Sequence, residues 1–66
     1  MTTICINGEN RRVQSETVEA LLRELDLLPS QAAVEHNGTV LFRHEMVQAT
    51  LHEGDRIEII RVVAGG

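Results

Sequence analysis

Val18, Leu21, Leu22, Leu25 and Leu28 recur at i, i+3, i+4, i+7 and i+10, the spacing that lines one face of an α-helix. This is the clearest helix signal in 66 residues, and it constrains the fold more than any other feature. A single amphipathic helix must bury its apolar stripe against another element. Thr17 is placed to cap its start, with Ser15 as the competing cap, and Glu19 near the N-terminus suits the helix dipole. Pro29 marks the end, because the residue before a proline avoids helical geometry. The spacing predicts a helix from Val18 to Asp26.

The segments around it read as strands. Thr3 to Asn7 carries Ile4 and Ile6 on one face. Gly8, Glu9 and Asn10 are turn residues, and Arg11 to Gln14 returns as a second strand in which only Val13 is apolar. Ala32 to His36 and Thr39 to Phe42 flank Asn37-Gly38, a strong hairpin signal because both residues tolerate positive φ. Arg43 to Leu51 is mixed, either irregular or a short turn of helix. Glu53-Gly54-Asp55 is a turn, and Arg56 to Val63 is the strongest strand. In that strand Ile57 and Ile59 face one way, and Glu58, Ile60 and Val62 the other. The order β-β-α-β-β-β gives an α+β class of the ubiquitin-like β-grasp type. A mixed sheet of four to five strands is expected, with one main helix on one face and the last strand parallel to the first. Residues 1–66 are expected to form one such domain with a flexible tail at 64–66.

Composition narrows the function. Apolar residues make up 42% of the chain, as in folded proteins and unlike disordered ones. Phe42 is the only aromatic residue and the formal charge is −4, which argues against a nucleic-acid partner, since stacking platforms and a basic face are both missing. There are six Arg and no Lys, with no basic run. Cys5 is the only cysteine, so no internal disulfide is possible. No stretch is apolar enough to span a bilayer, and the first residues do not read as a signal peptide. A cytoplasmic protein, monomeric on its own and without a membrane partner, is expected.

The candidate chemistry lies at the end of the chain. Gly65-Gly66 follows an ordered strand instead of a polar linker, so the strand would project the glycines as an arm ending in a carboxylate. A carboxylate becomes a good electrophile only after activation, for example as an acyl-adenylate, which needs protection from water. A narrow channel in a partner enzyme gives that protection, and residues without bulky side chains can thread it. Gly66 is thus the expected reacting group, with Gly65 and Ala64 recognised beside it. Ile60 and Val62 on the outward side of the last strand form the expected docking patch, together with Phe42 and Arg43. His36, His44 and His52 are eight residues apart and form no ligand pair, so no metal site is expected. Cys5 lacks a neighbouring base and reads as a small, partly buried residue. Glu9, Glu16, Glu19, Glu24 and Asp26 read as a solvated face. No catalytic constellation is expected, and no bound cofactor.

The chain resembles the ThiS family, the sulfur carriers of thiamin biosynthesis. The resemblance runs through I-C-I-N-G, T-V-E-A-L-L, A-V-E-H-N-G, V-L-F-R, E-G-D-R-I-E-I-I and V-V-A-G-G. Phe42 stands where the family often carries a proline, ahead of the arginine that corresponds to Arg43. The resemblance implies that Gly66 is adenylated by a ThiF-like enzyme using ATP and Mg²⁺. A sulfur donor, such as a cysteine-desulfurase persulfide, then converts it to a thiocarboxylate. A ThiG-like thiazole synthase takes the sulfur for the thiazole ring, making the chain a co-substrate and not an enzyme. The alternatives are a carrier of the molybdopterin synthase small-subunit type, or a β-grasp interaction module that carries no sulfur.

Overall fold

Two Asn-Gly pairs set the hairpins from which the sheet grows. In the first, β1 (Thr2–Ile6) and β2 (Glu9–Val13) are antiparallel, with Ile6 opposite Glu9. Asn7 (φ 49°) and Gly8 (φ 85°) alone separate them, the two positive φ values that a tight hairpin between twisted strands requires. The turn therefore lies one residue earlier than the expected Gly8, Glu9 and Asn10, and β2 begins at Glu9 instead of Arg11. In the second hairpin, β3 (Ala32–His36) and β4 (Thr39–Leu41) flank Asn37 (φ 52°) and Gly38 (φ 87°), as expected from the sequence except that β4 stops before Phe42.

The computed structural model describes residues 1–62; the expected last strand residue Val63 and the tail residues Ala64, Gly65 and Gly66 lie outside the described residues. Helix α1 (Val18–Glu24) starts where expected, with the Thr17 hydroxyl accepting the Ala20 N–H at 3.2 Å. It ends earlier. Asp26 adopts φ 65°, the Leu27 N–H reaches back to the Leu22 carbonyl at 2.7 Å and the Asp26 N–H to that of Arg23 at 3.0 Å. This paired capping pattern closes the last turn of a helix with a left-handed residue. Beyond it the helical period no longer applies. Leu27 packs against the core while Leu28, expected on the apolar stripe, is 53% exposed. A 3-10 turn (Pro29–Gln31) then leads into β3.

The mixed segment after β4 contains a short helix, α2 (Arg43–Met46). The Glu45 carboxylate caps it by accepting the Phe42 N–H at 2.7 Å. Met46 and Leu51 from this segment are buried. Backbone bonds tie it to the start of α1, from Val18 N–H to the Ala49 carbonyl and from Leu51 N–H to that of Glu16, both 2.9 Å. The final strand β5 (Arg56–Arg61) completes a five-stranded sheet in the order β2-β1-β5-β3-β4. β5 is parallel to β1 and antiparallel to β3. The core between α1 and the sheet gathers Ile4, Ile6, Val13, Val18, Leu21, Leu22, Ala32, Val34 and Ile57 with Met46 and Leu51. Full burial of one such side chain stabilises by about 2 kcal/mol. A mixed sheet grasping one main helix on one face is the ubiquitin-like β-grasp fold.

Candidate functional site

β5 is the strand that leads towards the expected reacting end of the chain, and it is the middle strand of the sheet. Its inward residues anchor it: Ile57 is buried and Ile59 packs against the core. Both neighbouring hairpins grip its backbone through their turn asparagines. The Asn7 side chain accepts the Ile59 N–H at 2.7 Å and donates to the Ile59 carbonyl at 3.2 Å. The Asn37 side-chain oxygen accepts the Arg56 N–H at 2.8 Å, while the Asn37 backbone N–H donates to the Arg56 carbonyl at 2.8 Å. Each turn thus satisfies backbone groups that the ladder leaves open.

Asp55, immediately before β5, is buried. Its carboxylate accepts the His36 imidazole N–H at 2.8 Å, the Asn37 side-chain N–H at 3.1 Å and the His52 backbone N–H at 2.9 Å. Burial alone would raise its pKa, but the bonds from His36, Asn37 and His52 outweigh that and hold the carboxyl below its ordinary value. The three contacts join the β3–β4 turn, the 52–55 turn and the start of β5. The sequence reading passed over this knot. The Glu-Gly-Asp pattern signalled only a turn, and the pairing of residue 36 with residue 55 depends on β3 lying beside β5.

The outward face of β5 and its neighbours is where the expected docking residues lie. Ile60 is 64% and Val62 52% exposed, both outward as the alternation required. Ala33 stands opposite Ile60 and Glu35 stands between Glu58 on β5 and Val40 on β4. Val40 is 60% exposed and extends the apolar patch by one strand. Ala33 and Val40 escaped the sequence reading because only the strand register puts them beside Ile60. Phe42 is 67% exposed and continues the parity of Val40; its ring lies parallel to that of His44 at 6.1 Å between centroids. Arg43 is exposed as the first residue of α2. Gly66, Gly65 and Ala64 lie outside the described residues.

Cys5 alternates with buried Ile4 and Ile6 and is half-buried on the outer face as a free thiol. His36 is half-buried, whereas His44 and His52 are exposed. Among the described residues no group of His, Cys, Asp or Glu is placed to hold a metal ion, and no helix is long and apolar enough to cross a membrane.

Comparison with known proteins matches this architecture to one family. The family model of the ThiS family matches residues 4–66. The crystal structure of the thiamine biosynthesis protein ThiS from Geobacter metallireducens superposes with a TM-score of 0.81 at 29% identity, covering 98% of this chain and all of that one. The solution structure of a thiamine biosynthesis protein from the same organism gives 0.79 at 29% identity, covering 98% and 88% of the two chains. A thiazole synthase of Paramagnetospirillum magneticum is 39% identical over 64 residues, which is 96% of this chain and 20% of that protein. The chain therefore spans about one fifth of the length of that curated relative. With the family model matching nearly every residue, the chain belongs to the ThiS family.

Proposed function

We propose that this chain is a sulfur carrier of thiamin biosynthesis whose reacting group is the carboxyl of Gly66. An adenylating enzyme of the ThiF type activates that carboxyl with ATP and Mg²⁺, releasing pyrophosphate. Sulfur from a persulfide donor, such as that of a cysteine desulfurase, displaces AMP, and reductive cleavage of the resulting acyl disulfide leaves the thiocarboxylate. A thiazole synthase of the ThiG type then takes the sulfur and returns the carboxylate. The carrier is a co-substrate in each step, and the catalytic groups belong to the partners.

The observation that carries this reading is the family match, which runs through Val62-Val63-Ala64-Gly65-Gly66. The thiazole synthase relative adds support for one partner. In that protein a segment similar to this chain is part of a longer thiazole synthase polypeptide. Ile60, Val62, Phe42 and Arg43 are the residues that meet the partners, and Gly65 and Ala64 are read in the channel that leads to the activation site. The chain acts in the cytoplasm as a single-domain monomer.

Activation is tested by mixing the purified chain with its adenylating enzyme, ATP and Mg²⁺ and measuring pyrophosphate release. Release that depends on the carrier supports the reading. Release that is the same without the carrier contradicts it.

A further inference from the structure

Glu35 on β3 and Glu58 on β5 stand directly opposite each other, side by side on the outer face of the sheet. Like charges at such a cross-strand pair destabilise a sheet. The ion pairs among the described residues are Glu19 with Arg23 and Asp55 with His36 and His52; neither Glu35 nor Glu58 is in one. Arg56 borders the same depression, of about 330 Å³, yet forms an ion pair with neither. On the side away from Arg56, the two carboxylates adjoin a shallow groove lined by Ala33, Val40 and Ile60. A local conflict of this kind, kept where an exposed apolar groove meets a polar depression, marks a surface whose complement is elsewhere.

We infer that this face is a docking surface for a protein partner that presents an Arg or Lys side chain flanked on one side by apolar residues, with the cation entering between Glu35 and Glu58. The inference rests on the docking role proposed above and names the chemistry of the partner. Charge complementarity points to such an occupant, because the chain has a net charge of −4 and no Lys, and two unneutralised carboxylates side by side fit one cation. Continuity supports it too: Ile60, at the rim of the groove, and Val62 lie on the path that leads towards the tail. The apolar contacts give area, and the carboxylates select and orient the partner.

The test uses the full chain with Glu35→Gln/Glu58→Gln and, separately, Ile60→Asp. Binding to the adenylating enzyme and to the thiazole synthase is measured by calorimetry at low and high salt. The double Gln variant is expected to be as stable as the parent or more so, to bind at least one partner about tenfold more weakly at low salt, and to lose most of the salt dependence of that binding. Unchanged affinity for both partners, or weaker binding with the salt dependence intact, overturns the inference. If Ile60→Asp impairs binding while the double Gln variant does not, the docking role stands and the charge recognition fails. If Ile60→Asp also binds normally, the docking role fails as well.

Discussion

Burial by itself makes a carboxyl group harder to ionise, and Asp55 ionises more readily than usual only because three donors converge on it. The sign of its pH effect follows. A group whose folded pKa lies below its unfolded value stabilises the fold above the unfolded value, and that contribution fades as pH falls through the folded one. Asp55→Asn is thus expected to lower the midpoint of urea unfolding at neutral pH. Its gap to the parent should be full above the ordinary carboxylate value of 3.8 and should close in more acidic solution. A gap independent of pH would contradict the account of Asp55. Asn37 carries two side-chain bonds and a positive φ, so Asn37→Ala is expected to cost about 2 kcal/mol, measured by the same unfolding curves. Further along the sequence, Gly65→Val is expected to leave the unfolding curve unchanged and to abolish activation, because the proposed channel admits no branched Cβ. Normal pyrophosphate release by that variant would refute the channel argument.

At the scale of elements, local signals were legible and pairings were not. The Asn37-Gly38 hairpin, the start of α1 at Val18 and the alternation of β5 could all be read from residue type and period alone. The Asn7-Gly8 hairpin carries the same signal, but a neighbouring run of turn-formers, Gly8 to Asn10, masked where the loop closes. The end of α1 was misread because Leu28 fits the helical period, while Asp26 in a left-handed conformation passes the core position to Leu27. α2 is four residues long, too short for a periodic pattern, and it depends on Glu45 and on the burial of Met46. The Asp55 knot and the Ala33–Ile60 patch arise from strands far apart in sequence, so no local pattern announces them. Leu22→Ala tests the packing of α1 on the sheet. It is expected to cost about 3 kcal/mol, read as a lower unfolding midpoint.

For the molecule as a whole, that cost is large. A chain of this size has a stability of roughly 5 kcal/mol, so the fold has little to spare beyond holding β5 in place. A helix buries one face of the sheet, two Asn-Gly turns and Asp55 fix the central strand, and the other face is left exposed, where we propose that partners dock. The role proposed for this scaffold is delivery of sulfur on Gly66. The direct measurement is the intact mass of the chain after incubation with its adenylating enzyme, ATP, Mg²⁺, a persulfide donor and a thiol reductant, followed by fragmentation of the C-terminal peptide. A mass gain equal to one oxygen replaced by sulfur is expected, located on Gly66 and reversed when thiazole synthase and its substrates are added. An unchanged mass, or a sulfur gain located on Cys5 instead, would contradict the proposed role.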